Sequence, residues 1–363
     1  MNDLARRAHT SGAKTGVLLV NLGTPEAPTP QAIRRYLAQF LGDPRVVEIP
    51  RLIWLPILYG LILTLRPRRL AHAYQSIWTE RGSPLLAISQ DQLEGVRVRL
   101  QAKYGERVSV ALAMTYGEPS LPKALQAFAE QQVRRVVVLP LYPQYSGSTT
   151  GAVADALFKA LMGQRWVPEL RTIGSYHDHP AYIEALAASV REHWQRQGRG
   201  DHLLMSFHGV PQHYVTKGDP YYCHCQKTGR LLAESLGLQG GDYTVAFQSR
   251  FGKAPWVQPY TQDAVKTLPG RGVKQLDVIC PGFSADCLET LEEVSQGYDA
   301  DFRAAGGSAL RYIPALNAGD GHLDALISIL MPVLNDAAAQ PQPVADAARR
   351  ADNLADAFSG RSA

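Results

Sequence analysis

The sequence predicts an α/β protein made of two similar Rossmann-like lobes, each a parallel sheet flanked by helices. Three observations support this fold class. The strand-like segments are continuous apolar runs, which is typical of strands buried on both faces of a parallel sheet. These runs alternate with helical segments, as in a doubly wound sheet. Landmarks of the first half recur in the same order in the second half, which indicates a duplicated unit with a cleft between its copies.

Short apolar runs locate the strands, and longer periodic segments locate the helices. Strands are predicted in the first half at residues 17–20, 108–114 and 136–139, and in the second half at 203–207, 243–247 and 276–280. Helices are predicted at residues 122–130, 152–162, 181–197, 228–236 and 318–334.

Three pairs of segments carry the duplication. VLLVNLGTP at 17–25 matches LLMSFHGVP at 203–211, and 136–146 matches 276–284. In the third pair, Tyr116-Gly117 followed by Pro119 matches Phe251-Gly252 followed by Pro255. Each match is weak alone, because glycine and proline commonly follow strands. Their common order predicts the duplication, and it places His208 where the first lobe has Leu22.

The same reasoning divides the chain into five parts. We predict a flexible N-terminus at 1–14, a first lobe at 15–168 and a second lobe at 169–317. A C-terminal helix at 318–335 should pack back on the first lobe, and residues 336–363, rich in Ala, Gln and Pro, should form a mobile tail.

Composition excludes several classes of function. The chain has 363 residues, of which 45% are hydrophobic and 19% charged, as is usual for soluble globular proteins. A net charge of +4 gives no support for nucleic-acid binding. Four cysteines do not suggest a disulfide scaffold, and the polar N-terminus lacks an export signal. We therefore expect a cytoplasmic protein.

One segment is far more apolar than the chain as a whole. Residues 52–65 (LIWLPILYGLILTL) are almost uninterrupted apolar sequence, flanked by Arg51 on one side and by Arg66, Arg68 and Arg69 on the other. The segment is shorter than the ~20 residues of a membrane span. It could be a buried helix, or the exposed part of an apolar lip at about 40–70 that contacts a membrane surface or an apolar ligand. We favour the lip.

The candidate site is a histidine and a carboxylate at strand ends. His208 ends the strand at 203–207, and Glu289 opens the helix that follows the strand at 276–280. The carboxyl ends of parallel strands line the ligand crevice of such folds. An imidazole and a carboxylate there can take a proton from a substrate and hold a divalent metal. A structural histidine, and an acid favoured by the helix dipole, are the alternatives. Glu292 and Glu293 are a candidate proton or metal relay, or solvated surface charges.

Other motifs narrow the choice of ligand. Aromatic residues that suit a flat apolar ligand, or fill a core, follow the strand ends: Tyr116, Tyr142, Tyr145, Phe251, Trp256 and Phe283. The turn SGSTTG at 146–151 lacks the Lys of a P-loop, which argues against a nucleotide. Cys223-His224-Cys225 has no second cysteine pair of the kind that a structural metal site needs.

With these residues assembled, the chain resembles the ferrochelatases, enzymes that insert ferrous iron into a porphyrin at the end of haem synthesis. The resemblance runs from Gly16 to Leu334 and is strongest to the Gram-negative bacterial branch. The segments that carry it are VNLGTPEAP (20–28), GSP (82–84), LPLYPQYSGSTTGA (139–152), SFHGVP (206–211), FQSRFGKAPWVQPYT (247–261) and CPGFSADCLETLEE (280–293).

The resemblance implies a chelatase-type fold and a set of roles. His208 and Glu289 correspond to the family's catalytic and metal-site pair, and its porphyrin-contacting positions correspond to Leu22, Tyr116, Trp256 and Phe283. Some members carry a [2Fe-2S] cluster, and animal members place one ligand where this chain has Gly147, with the others in a C-terminal extension. No cysteine follows Asn335 here, so we expect no cluster and no cofactor beyond the substrate Fe²⁺. Cys223 and Cys225 are the positions at which a cluster could still be held, since some bacterial members use other cysteine positions.

The expected substrates are thus Fe²⁺ and protoporphyrin IX, with peripheral membrane contact through the 52–65 segment. Three alternatives stay open. The porphyrin could be coproporphyrin III, or the metal could be cobalt, although cobalt chelatases of this fold bring a second histidine to the metal. The chain could also be a non-catalytic two-lobed protein that binds a tetrapyrrole or a metal.

Overall fold

The computed structural model describes residues 14–252 and 254–338. The first half forms a four-stranded sheet with helices around it. Its strands are β1 (Lys14–Asn21), β2 (Val108–Met114), β3 (Val133–Pro140) and β4 (Glu169–Thr172). Its helices are α1 (Pro30–Phe40), α2 (Arg51–Ile57), α3 (Leu63–Ile77), α4 (Pro84–Tyr104), α5 (Leu121–Glu130) and α6 (Ala152–Leu161). Two π-helices, Leu58–Ile62 and Gly147–Gly151, join α2 to α3 and precede α6.

The second half repeats this plan. Its strands are β5 (His202–His208), β6 (Tyr243–Gln248), β7 (Gln275–Ile279) and β8 (Ala309–Ile313). Its helices are α7 (Pro180–Gln197), α8 (Gln212–Thr216), α9 (Tyr221–Leu236), α10 (Thr261–Thr267), α11 (Tyr298–Ala304) and α12 (Asp320–Ala338). A third π-helix, Glu289–Gly297, precedes α11, and we call it the Glu289 helix.

The two sheets have the same topology. Their strand orders are β2-β1-β3-β4 and β6-β5-β7-β8, and every strand pair is parallel. Each order places the first strand of its half between the second and the third. The predicted fold class, two similar lobes with parallel sheets flanked by helices, is confirmed.

One apolar core joins the two lobes. The inward faces of both sheets contribute to it, through Leu19 and Leu139 in the first and Met205 and Phe207 in the second. Residues of α4, α7 and α12 complete this core, so the C-terminal helix packs on both halves. The opposite face of each sheet has a smaller core of its own. Because the shared core fixes the two sheets against each other, the ends of their strands hold a constant separation.

Hydrogen bonds after β2 and β6 identify equivalent positions in the two lobes. The Met114 amide donates to the Pro119 carbonyl at 2.6 Å, and the Phe247 amide donates to the Pro259 carbonyl at 2.9 Å. The match of Pro119 with Pro255 that we expected from the sequence is therefore wrong. The loop in the second lobe is longer, and its additional residues include Trp256.

The sheet pairing also corrects the predicted boundaries. β4 pairs with β3, so the second lobe cannot begin at residue 169 as predicted. Lys14 belongs to β1, and α12 continues to Ala338, three residues beyond the predicted end of that helix. The rest of the predicted flexible N-terminus and mobile tail, 1–13 and 339–363, lies outside the described residues.

The apolar segment at 52–65 is helical, with one face buried and the other exposed. Trp54, Leu58 and Leu63 are buried, whereas Leu52 is 92% exposed and Leu61 53%. Pro67 has no N–H to donate to the Leu63 carbonyl, four residues earlier in α3. The Arg34 side chain donates to that carbonyl instead, at 2.8 Å. Within the described residues, no helix is both long and apolar enough to cross a membrane.

Candidate active site

His208 is the last residue of β5 and is partly buried. Its Nδ1 lies 2.7 Å from the Gly209 carbonyl oxygen. A carbonyl can only accept, so Nδ1 carries the proton and Nε2 presents a lone pair. The Trp256 ring lies beside the imidazole, with 6.4 Å between ring centroids. His208 therefore has a fixed tautomer suited to accepting a proton or binding a metal through Nε2.

Gln248 connects the strand of His208 to the Glu289 helix. Gln248 is paired with His208 in the β5–β6 register and is 2% exposed. Its side-chain amide donates to the Glu289 carbonyl oxygen at 3.3 Å and accepts from the Ser206 hydroxyl at 2.6 Å. Ser206 and His208 lie on the same face of β5, because side chains alternate along a strand. The two predicted site residues thus flank one buried glutamine.

A second buried group holds the start of the Glu289 helix. The Asp286 carboxylate accepts from the Thr290 hydroxyl at 2.9 Å, the Tyr312 hydroxyl at 2.6 Å and the Asn317 amide at 2.7 Å. Tyr312 lies on β8 and Asn317 in the loop before α12. Asp286 therefore anchors the turn from which Glu289 projects. Sequence reasoning missed this role, because the donors lie 26 and 31 residues away in the chain.

The two following glutamates differ in their surroundings. Glu293 accepts from the Ser249 amide at 2.9 Å, the Ser249 hydroxyl at 2.5 Å and the Tyr298 hydroxyl at 2.8 Å, so its carboxylate is fully engaged. Burial raises the pKa of Glu292, and the charges of Glu293 and Glu289 raise it further. Glu292 is therefore more readily protonated than an ordinary exposed glutamate.

Glu289 faces the apolar lip of the first lobe. Burial raises the pKa of Tyr74 and Tyr36 far above the usual value, and the Glu289 charge raises both further. Burial lowers the pKa of Arg66, and Glu289 opposes that shift. The Arg66 guanidinium also lies over the Phe251 ring at 4.3 Å, which joins α3 to the loop after β6. Tyr36, Tyr74 and Arg66 were not predicted as site residues.

The four predicted porphyrin-binding residues fall into three separate packing groups. Leu22 and Tyr116 pack in a cluster with the buried lip residues and with Leu288 and Leu291 of the second lobe; we call it the lip cluster. Trp256 lies next to His208 and is not part of the lip cluster. Phe283 instead packs between Leu85 of α4 and the core of the second sheet. The structure therefore groups Leu22 with Tyr116 and Trp256 with His208, and it places Phe283 apart from both pairs.

The Cys223-His224-Cys225 motif has a packing role. The His224 ring is stacked on the His177 ring, with 3.7 Å between centroids, and its Nδ1 accepts from the Tyr145 amide at 3.2 Å. Cys223 is exposed and Cys225 is buried, so the two thiols lie on different sides of α9. Among residues 14–252 and 254–338, no three or more His, Cys, Asp or Glu side chains form a metal-binding group.

Comparison with known proteins identifies the family. The ferrochelatase family profile matches residues 14–333. The ferrochelatase of Thioalkalivibrio sulfidiphilus is 55% identical over 323 residues, 89% of this chain and 88% of the relative. That of Alcanivorax borkumensis is 54% identical over 322 residues, covering 89% and 94%. That of Marinobacter nauticus is 51% identical over 329 residues, covering 91% and 89%.

Solved structures agree on the fold. SirB from Bacillus subtilis with Fe³⁺ superposes with a TM-score of 0.52 at 12% identity, covering 90% of this chain and 98% of that one. Such a likeness shows the chelatase fold alone. The prediction of a ferrochelatase of the Gram-negative bacterial type is confirmed by the sequence relatives. The chain belongs to the ferrochelatase family.

Proposed function

We propose that this chain inserts Fe²⁺ into protoporphyrin IX to give protohaem, the last step of haem biosynthesis, with His208 and Glu289 as the working pair. Family membership supports the reaction. The observation that supports the pair is Gln248, which neighbours His208 in the sheet and donates a hydrogen bond to the Glu289 backbone. The enzyme is a lyase that needs no cofactor besides its metal substrate.

Metal insertion requires the removal of two pyrrole protons. The free lone pair on His208 Nε2 accepts a pyrrole proton as iron enters the ring. The imidazolium formed is stabilised because its Nδ1–H already donates to the Gly209 carbonyl at 2.7 Å. The same bond prevents the ring from rotating, which keeps Nε2 aimed at the substrate.

The carboxylates of Glu289 and Glu292 act on the iron and on the released protons. Glu289, at the start of its helix, holds the incoming Fe²⁺, because ferrous sites in proteins combine a carboxylate with histidine ligands. Glu292 accepts protons and releases them to solvent, since its raised pKa makes protonation easy. Glu293 positions the helix against Ser249 and does not relay protons.

The apolar walls bind and bend the porphyrin. A planar ring shields its nitrogens, and a bent ring exposes their lone pairs. Leu22 and Tyr116 press on the ring from the lip cluster, and Trp256 supports it beside His208. Phe283 contributes by holding the turn that precedes Glu289. A site complementary to the bent ring accelerates insertion by binding the transition state more tightly than the flat substrate.

The exposed face of the lip contacts the cytoplasmic side of a membrane. Leu52, Ile53, Leu61 and Leu65 are each more than half exposed. Arg68 and Arg69 are also exposed and suit anionic headgroups, whereas Arg66 is partly buried against Phe251. Leu52→Asp should therefore reduce sedimentation with anionic liposomes, and Val98→Asp, an exposed valine on α4, should not. Equal sedimentation of both variants and the parent chain would contradict this contact.

The reaction is tested by incubating the purified protein anaerobically with Fe²⁺ and protoporphyrin IX and recording the visible spectrum. Conversion of the free-base bands to those of protohaem is the expected result. A parallel incubation with coproporphyrin III decides between the two porphyrins, because the preferred substrate gives the higher kcat/KM. Absence of turnover with either porphyrin would leave only a binding function and would overturn the proposal.

A further inference from the structure

We propose that Gln92 of α4 is a positioning residue that holds Glu289 in place from the other lobe. This inference rests on the proposed function, in which Glu289 holds Fe²⁺. Gln92 is 0% exposed, and its Oε1 atom has no partner within the described part of the chain. Its Nε2 atom donates to the Ser284 carbonyl at 2.8 Å and the Asn317 carbonyl at 3.0 Å, and lies 3.2 Å from the Ser284 hydroxyl. These bonds all lead from the first lobe to the second.

Both acceptors of Gln92 lead to the Glu289 helix. Ser284 belongs to the turn that directly precedes this helix. Asn317 and Asp286 exchange two hydrogen bonds: the Asn317 amide donates to the Asp286 carboxylate at 2.7 Å, and its Oδ1 accepts from the Asp286 backbone at 2.9 Å. Gln92 therefore holds this turn at two points, directly at Ser284 and through Asn317 at Asp286, the residue that anchors the start of the helix.

Apolar side chains join the same two segments. The cluster consists of Leu85 and Ile88 of α4 with Phe283, Ala285 and Cys287 of the turn. Leu85, Ile88 and Gln92 are spaced three and four residues apart, so they lie on one face of α4. Apolar burial is not directional, whereas a hydrogen bond requires a specific distance and angle. The apolar cluster therefore keeps α4 against the turn, and Gln92 fixes where the turn lies along the helix.

One turn of α4 before Gln92, a second buried polar side chain contacts the first lobe. The Ser89 hydroxyl is 0% exposed and accepts from the Asn21 amide at 3.1 Å. The Asn21 side-chain oxygen in turn accepts from the Leu22 backbone at 2.8 Å. Ser89 thus connects α4 to the strand end that carries Leu22, and Gln92 connects it to the turn that carries Glu289. Through these two side chains, α4 sets the spacing between the proposed porphyrin contact and the proposed metal-holding carboxylate.

Gln92→Met tests this role in the full-length protein, because methionine keeps the length and shape of the side chain and removes its amide. Loss of a group that orients a metal-holding residue lowers metal affinity or activity by ~10–100-fold, so kcat/KM for Fe²⁺ should fall by that factor. The Kd for protoporphyrin should stay unchanged, since Ser89 still holds the strand end at Leu22. Deuterium exchange at the amides of 284–290 should become faster, and this readout needs no turnover.

The matched control is Ser89→Ala, which removes a buried hydrogen bond of α4 that stays within the first lobe. This variant should leave both the KM for Fe²⁺ and the exchange at 284–290 unchanged. Should Gln92→Met not fold, Asn317→Gly removes the two side-chain bonds to Asp286, suits the left-handed backbone at this position (φ +49°), and should show the same loss.

Two results would overturn the positioning role of Gln92. The first is parent-like Fe²⁺ dependence and exchange in Gln92→Met. The second is an equal loss in Ser89→Ala, because α4 would then only support the fold. A parent protein that shows no turnover would refute the proposed function instead, and exchange at 284–290 would still decide whether Gln92 holds the turn.

Discussion

Replacing Gln248 by Leu removes the connection between His208 and Glu289 and keeps a side chain of similar volume. Two strong hydrogen bonds are lost, from the Ser206 hydroxyl at 2.6 Å and to the Glu289 carbonyl at 3.3 Å, together with a weak one from the Cys280 thiol at 3.7 Å. At about 1 kcal/mol for each buried hydrogen bond, the free energy of unfolding should fall by roughly 2 kcal/mol. The first residue of the Glu289 helix then loses its bond to β6, while Glu293 keeps its bonds to Ser249 further along the helix. A displacement of about 1 Å at Glu289 should lower kcat by ~10²-fold.

The matched control is Thr261→Val. The Thr261 hydroxyl shares a 2.8 Å hydrogen bond with Ser206 and, within the described part of the chain, has no hydrogen bond to the Glu289 helix. This variant should lose about 1 kcal/mol of stability and little activity. The assays are urea unfolding and the initial rate of anaerobic protohaem formation. An unchanged kcat in Gln248→Leu, or an equal loss in Thr261→Val, would refute the positioning role of Gln248.

Two further predictions concern pH. The folded protein raises the pKa of Glu292, so ionisation of this group destabilises the fold as pH rises above the unfolded value. Glu292→Gln should therefore raise Tm near pH 8, leave it unchanged near pH 4, and lower turnover if Glu292 carries protons. Burial, with the nearby His224, lowers the pKa of His177 from 6.5 to about 4, so the protein should lose stability as pH falls through that interval. His177→Phe preserves a flat stacked ring and should reduce this loss, and an unchanged Tm–pH curve would contradict the assignment.

The central parts of the fold could be predicted from the sequence because strands buried in a parallel sheet are continuous apolar runs. All six predicted strands are present, and the duplication correctly indicated two sheets of one topology. β4 and β8 were missed because they contain charged residues: β4 reads ELRT and β8 reads ALRYI. The predicted helix at 228–236 is only the second part of α9, since the polar residues at its start hide the helical period.

The site could be predicted only where a residue type and its place in the chain were both informative. His208 and Glu289 follow strand ends, and the family motifs coincide with them. The roles of Gln248 and Asp286 depend on hydrogen bonds between segments distant in sequence, such as Asp286 to Tyr312, and no local pattern encodes such bonds. The different surroundings of Glu292 and Glu293 likewise depend on Ser249, which lies on another segment.

The most direct test of the proposed chemistry is single-turnover iron insertion by His208→Ala, measured together with protoporphyrin binding. Removal of the Nε2 lone pair should lower the insertion rate at least ~10²-fold, as is usual for the loss of a general base. The Kd for protoporphyrin should stay close to that of the parent protein, because the apolar walls at Leu22, Tyr116 and Trp256 are unaltered. Near-normal insertion with the porphyrin still bound would show that another group accepts the pyrrole protons.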